Sequence, residues 1–406
     1  MAGGRLQRGI GFIRRQRGPF KVNLAKNIVQ NFSLALTQQY QSIYITALGA
    51  NPLELGYVNG VGGFAGAFVS LPIGALADRH GVRKILVMTM PLMVLGSVVF
   101  GLAGSWETTA IALILSTLSM RILFTVCPMI CGSTLRNEER ATGMQLCDTL
   151  SAAPRLVAPV AAAYLITVFG GMNARGIRPL FWLQALGLVV SVLIIHRFFV
   201  DPLEGRRGAS PSGFIEGVRA VLTGTKMAGR WIAYLTLSSF PMYMIIFVPL
   251  FAAEVKGADQ FTLGWMDMAF WLVILLLALP LGRLADVFGR KKTILLLVPL
   301  YCLSQLLLIH AWSGAALIAA GMMGAFFMLA DVTEWAITAE MVPREQLGSW
   351  YGVLGLFRGI TGMALPVLGG AIWQAFGPEC VFYLLIVSQL AKLLILASVP
   401  SSITRG

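Results

Sequence analysis

Five charged side chains stand inside long apolar runs of this sequence: Arg121, Arg155, Asp331, Glu334 and Arg358. An ionisable group at the centre of a bilayer costs roughly 2.5–3.5 kcal/mol on insertion scales, so it marks a solute path, a proton relay or an internal ion pair. Asp331 and Glu334, three residues apart, share a helix face. At ~1.5 Å rise per residue, Asp331 and Arg358 fall at similar depth in consecutive runs. They are expected to pair, which leaves Glu334 as the titrating carboxylate. Arg121 and Arg155 have no acid at equal depth in their own half unless Asp148 reaches Arg155. The pattern therefore predicts a cationic patch in the first half of the chain facing an acidic patch in the second. Asp267 and Glu340 lie nearer the ends of their runs and are expected to snorkel to water, as is Lys392.

Uncharged chemistry is concentrated in the first run. Asn27, Asn31, Gln38 and Ser42 share one face, and Gln30, Thr37, Gln41 and Tyr44 share the adjacent one. Lipid gives such a stripe no hydrogen-bond partners, so it is expected to line a polar cavity, with Gln38 as the best candidate for substrate contact. The seventh run adds Tyr234, Ser238, Ser239 and Tyr243. The cavity set is thus Asn31, Gln38, Ser42, Ser239 and Tyr243.

The elements that must position these groups are membrane helices. The 406 residues are 57% hydrophobic and 12% charged, with mean hydropathy +0.77, whereas a soluble domain carries about 25% charged residues. Twelve apolar runs reach the ~20 residues that cross a bilayer: 22–48, 54–76, 84–104, 107–133, 143–169, 177–199, 230–253, 261–281, 292–310, 313–341, 348–371 and 377–399. All should be helical, because lipid leaves an open backbone unsatisfied. The fold class is all-α integral membrane.

The net charge of +13 suggests nucleic acid only until its distribution is read. Of 31 Lys and Arg, 24 fall in the N-terminus, the even-to-odd loops, the central linker and the C-terminus; only Arg175, Arg178 and Lys256 occupy the opposite loops. This asymmetry puts both termini in the cytoplasm, with the basic arm against anionic headgroups. No nucleic-acid partner is expected, and no cleavable signal peptide. Cys127 and Cys131 share a helix face without an accompanying His or acid, so they read as apolar filler and no metal is expected. Asn31-Phe32-Ser33 is a glycosylation sequon inside a span, and Gly60-Val-Gly62-Gly-Phe-Ala65 follows no strand, so neither carries its usual chemistry. No nucleophile or phosphate loop stands in a credible setting, which excludes an enzyme; no cofactor is expected.

An eleven-residue phrase occurs twice, as Gly74-Ala-Leu-Ala-Asp78-Arg-His-Gly81-Val-Arg83-Lys84 and Gly282-Arg-Leu-Ala-Asp286-Val-Phe-Gly289-Arg290-Lys291-Lys292, 208 residues apart. A second echo aligns Val157-Ala-Pro159 with Ala364-Leu-Pro366, offset by 207. Two homologous membrane halves are a signature of secondary transporters. The halves are 22–199 and 230–406, with a basic arm at 1–21 and a linker containing an amphipathic helix at 200–229. Gly81 and Gly289 permit a tight turn, and the flanking Arg83, Lys84 and Arg290 are expected to anchor it at the headgroups.

The phrase resembles the signature loop of the major facilitator superfamily. That resemblance implies two six-helix bundles related by a pseudo-twofold axis, with spans one, four, seven and ten lining the cavity and spans two, five, eight and eleven between the bundles. It also implies that the loops brace one conformation, with Asp78 facing the start of span eleven near Gly348 and Asp286 the start of span five near Gly143. Arg121 in span four resembles a feature of proton-coupled members. On this basis the chain is expected to be a monomer in the cytoplasmic membrane of a bacterium or archaeon, exporting a small hydrophobic or drug-like molecule by proton antiport. The alternatives are a symporter or exchanger for an organic anion held by Arg121 and Arg155, and a non-transporting receptor on the same fold. Antiporter members usually carry a Gly-Pro-x-x-Gly-Gly-like motif in span five. Here span five reads Ala158-Pro159-Val-Ala-Ala, and the Gly-rich version stands in span eleven. That departure leaves the direction open.

Overall fold

A computed structural model of the chain describes residues 18–65, 82–135, 140–200, 226–341 and 347–398. These form the expected twelve spans. Span one is Gly18–Gln38 with Gln41–Ala47, span two covers 52–65, span three Val82–Leu102, and span four Trp106–Thr134. Span five comprises Arg140–Ala152, the tighter turn Ala153–Leu156, and Ala158–Val168; span six is Ala174–Phe198. In the second half, span seven is Lys226–Ser238, Phe240–Met244 and Phe247–Glu254, and span eight Gln260–Phe288. Span nine is Arg290–Ile309, span ten Gly314–Gly324 with Phe326–Met341, span eleven Leu347–Phe376, and span twelve Pro378–Ala397. Among the described residues nine helices are long and apolar enough to cross a membrane, and span seven makes ten when its two segments, bent by 42°, count as one. The other two are span one, whose polar stripe dilutes its hydropathy, and span two, described in part.

The face that carries Gly18, Gly289 and Leu347 is called proximal here. The face that carries Leu48, Ala103, Gly170, Gly257 and Gly377 is called distal.

Several spans expected as continuous helices are broken. Span one is interrupted at Gln39–Tyr40, span five at 153–157, span seven at Ser239 and again at Ile245–Ile246, and span ten at Ala325. Pro154 enters the span-five break and Pro241 the first break of span seven; a proline has no amide N–H for the preceding turn. Broken helices at membrane depth persist where they line a cavity or are buried in protein, and transporters build solute sites from them.

The halves are joined on the distal side. One continuous apolar core there unites span one (Tyr40, Ile43), span five (Ala158, Ala162), span seven (Phe247, Leu250) and span eight (Leu263, Met266). Toward the proximal side the described residues form separate cores. One lies around Trp231, Leu235 and Ile294 in the second half, and another around Leu86, Ile122 and Ile195 in the first. Glycines let the backbones meet at two distal seams. A Cβ on Gly264 of span eight would stand 2.9 Å from the Pro159 carbonyl oxygen of span five. One on Gly63 of span two would stand 2.5 Å from the Gly362 carbonyl oxygen of span eleven. Small residues at these points exchange side-chain volume for close helix contact.

The repeated loops act differently from the headgroup anchors expected of them. Gly74, Asp78 and Gly81 lie outside the described residues. Arg83 donates to the His196 carbonyl at the end of span six (3.0 Å), and Lys291, its counterpart in the repeat, donates to the Ala397 carbonyl at the end of span twelve (3.2 Å). Arg290 reaches the Ala336 carbonyl of span ten at 3.1 Å. The unpaired carbonyls and negative pole of a helix C-terminus draw cations away from lipid. Gly289 has φ +93°, in the region that favours glycine, while Gly282 is exposed. Asp286 is exposed too, and the space beside Gly143 is filled by Leu135 rather than by a carboxylate.

Candidate functional site

The break in span five places Arg155 in a turn instead of a helix wall, and from there its guanidinium crosses to span one. It donates to Asn31 Oδ1 at 2.8 Å and 3.3 Å and to Gln38 Oε1 at 3.0 Å. Gln38 is exposed, which at this depth means that it faces the polar layer between the halves. On its other side Arg155 stacks over Trp271 of span eight, with Cζ 4.3 Å from the ring centroid. Asp267, one helical turn before Trp271, interacts electrostatically with Arg155, and the Trp271 indole faces its carboxylate. Asp267 Oδ2 is buried without a hydrogen-bond partner among the described residues. Instead of snorkelling, Asp267 is held in the seam between the halves because Gly264, three residues earlier, brings span eight against span five.

A similar arrangement recurs within the second half. Arg358 of span eleven meets Asp331 of span ten at 3.3 Å, as the depth estimate predicts. Its Cζ lies 4.6 Å from the ring centroid of Trp335, whose indole N–H donates to Asp331 Oδ2 at 2.9 Å. Arg358 Nε is buried without a partner among the described residues.

Glu334 is not left over. It is completely buried and paired with Lys392 of span twelve, Nζ to Oε1 2.8 Å. Tyr234 of span seven donates to Oε1 at 3.0 Å, Ser238 donates to Oε2, and Lys392 also donates to Ser238 Oγ at 3.0 Å. Lys392 therefore does not snorkel: at 2% exposure its amine spends its hydrogen bonds on a buried carboxylate. The predicted attraction between a cationic first half and an acidic second half is found in part. Arg155 faces Asp267 of span eight, whereas the span-ten acids are held by cations of their own bundle.

The remaining candidates disperse. Arg121 lies half-buried in the unbroken helix of span four, and Asp148 is exposed. Ser239 is buried and turned back onto the Thr236 carbonyl at 2.6 Å, so its hydroxyl is committed to its own helix. Tyr243 packs against Gly362 of span eleven, and Ser42 is buried with its hydroxyl unpartnered among the described residues. Cys127, Cys131 and Glu340 carry no described side chain. Sequence reasoning missed Trp271, Trp335 and Lys392. The first two carried a signal, a repeated Asp-x-x-x-Trp spacing that puts an indole on the same helix face as the acid.

Two bundles closed at one end around broken helices and a layer of charged and amide groups define a membrane transporter of the alternating-access type. The chain belongs to the Major Facilitator Superfamily, whose family model matches residues 28–262 and 227–400. Among curated relatives, the MFS-type transporter TwmF of Talaromyces wortmannii is 28% identical over 146 residues, 35% of this chain and 26% of that protein. Citrate exporter 1 of Yarrowia lipolytica is 26% identical over 171 residues, 39% of this chain and 24% of that protein. The matches thus span about a quarter of the length of those relatives. Among solved structures, the nucleoside transporter NupG shares the fold with a TM-score of 0.79 at 12% identity, over 94% of this chain and 99% of that one.

Proposed function

We propose that the chain is a proton-coupled transporter of small organic anions. The observation that carries this reading is the setting of Arg155. It is a guanidinium on a broken span, hydrogen-bonded to the neutral amides of Asn31 and Gln38, open to the central layer, with its nearest carboxylate across the seam at Asp267. The planar fork of Arg matches a carboxylate. The span-ten acids, each held by a cation of its own bundle, are less suited to the lipophilic cation that drug efflux would favour. A citrate exporter among the relatives carries a substrate of the proposed charge. The basic asymmetry of the sequence supports a cytoplasmic proximal face and a place in the cytoplasmic membrane.

The sign of the coupling follows from the geometry. A substrate anion and an ionised Asp267 compete for one cation, so a proton on Asp267 releases Arg155 to the anion. Proton and anion then favour each other's binding, as in a symporter, and their joint occupancy removes the charge attraction across the seam and shifts the equilibrium between conformations. Site couplings of this kind run to about 5–150-fold.

The test is thermal stabilisation of the purified protein by benzoate, succinate, tetraphenylphosphonium and xylose at pH 6 and pH 8. A carboxylate should bind more tightly at pH 6, Asp267→Asn should give the tight value at both pH values, and Arg155→Gln should abolish binding. Carboxylate binding that weakens at pH 6 would return the reading to antiport. Stabilisation by the phosphonium alone would reject an anion substrate.

A further inference from the structure

The two Arg–Trp–Asp groups are alike in more than composition. Both arginines belong to spans five and eleven, which correspond in the repeat and run from the proximal to the distal face. Arg155 lies four residues before Pro159, whose carbonyl meets Gly264 of span eight. Arg358 lies four residues before Gly362, whose carbonyl meets Gly63 of span two. Each guanidinium thus sits about 6 Å below a glycine seam, one at each of the two seams that join the halves, so the two stand at equal depth. Both stack on an indole that leaves their outer edge free for hydrogen bonding.

Their donors also match. The hydrogen bonds of Arg155 end on amide oxygens, which a carboxylate replaces with gain of a charge-assisted bond. Arg358 gives one amino group to Asp331 and keeps its Nε–H, buried and unpartnered among the described residues. Such an unsatisfied buried donor is costly and calls for an acceptor.

We infer that Arg155 and Arg358 are two anchors of one substrate site, which takes a small organic dianion with one carboxylate at each seam. This rests on the anion reading above and narrows it from a single charge to two charges at a fixed spacing. A dianion that spans the seams touches both halves at once. Binding is then tied to the relative position of the bundles, which a monoanion on Arg155 alone does not achieve.

The experiment compares succinate, glutarate, adipate and pimelate with butyrate and hexanoate, by thermal stabilisation of the purified full chain. One dicarboxylate length should bind best. Arg155→Gln and Arg358→Gln should each weaken it by about ten- to a hundredfold, the loss of one charge-assisted contact, down to the level of the monocarboxylates. Because Arg358→Gln leaves Asp331 unpaired, Asp331→Asn/Arg358→Gln is run beside it, neutral at both positions and expected to show the same loss. If dicarboxylate and monocarboxylate bind equally and only Arg155→Gln weakens them, the two-anchor site is overturned while the anion reading stands. If no carboxylate stabilises the protein, both fall.

Discussion

Replacing Lys392 with methionine should lower the stability of the protein by about 3–5 kcal/mol, the usual cost of removing one partner of a buried ion pair. The methionine fills a similar volume, so the loss is electrostatic: Glu334, with no exposed surface, would keep a charge whose only remaining donors are Tyr234 and Ser238. Glu334→Gln should be costly in the same way, because it strands the Lys392 ammonium, which is 2% exposed. Read from sequence alone, that substitution removes a titrating group and little else; the structure makes it a stability variant first. The double variant Glu334→Gln/Lys392→Met should recover most of the loss, since replacing a whole buried pair with neutral groups is often close to neutral. Thermal denaturation of the four proteins in detergent forms the double-mutant cycle. Single variants within about 1 kcal/mol of the parent would mean that water reaches the pair and that it does not hold spans seven, ten and twelve together.

This pair also shows where the sequence was legible and where it was not. The twelve spans followed from run length alone, because a bilayer tolerates so few alternatives. The duplication followed from two phrases a fixed distance apart. The Asp331–Arg358 contact followed from depth, since consecutive spans form a hairpin whose geometry is known in advance. The same arithmetic places Lys392, five residues from the end of its helix at Ala397, near the depth of Glu334, seven from Met341. What depth does not reveal is which non-consecutive spans touch, and span twelve meets Glu334 only through packing. The breaks were hidden for a related reason. Pro154 and Pro241 were visible, but a proline inside a membrane helix kinks or interrupts it according to what its neighbours supply. Arg155 was singled out correctly as a charge in the apolar layer. Its orientation across the seam depended on Gly264 and Pro159, which are unremarkable as residues and matter only as a close approach.

That approach gives the second large effect. A valine at Gly264 would meet the Pro159 carbonyl oxygen at 2.9 Å and the Tyr40 hydroxyl at 3.1 Å from its first side-chain atom. The Tyr40 hydroxyl is itself part of the closure, shared between the carbonyls of Gln260 at 2.9 Å and Pro159 at 3.1 Å. Backbone oxygens cannot swing aside as a side chain does, so the clash falls on the distal-closed conformation and is relieved when the seam parts. Overpacking of this kind costs about 1–3 kcal/mol, which corresponds to a shift of about 5–150-fold toward the distal-open state. Gly63→Val should act in the same direction at the other seam, against the Gly362 carbonyl oxygen. The seams are separate, so the double variant should shift the equilibrium by roughly the product of the single effects. The measurement is a distance distribution between spin labels at Ala47 and Val255, exposed positions near the distal ends of spans one and seven. The long-distance population should grow with each valine, and transport should fall because the closed state is no longer reached. Unchanged distances in both single variants would show that the glycines serve folding alone. A shift at Gly264 with none at Gly63 would place the moving seam between spans five and eight, beside Arg155.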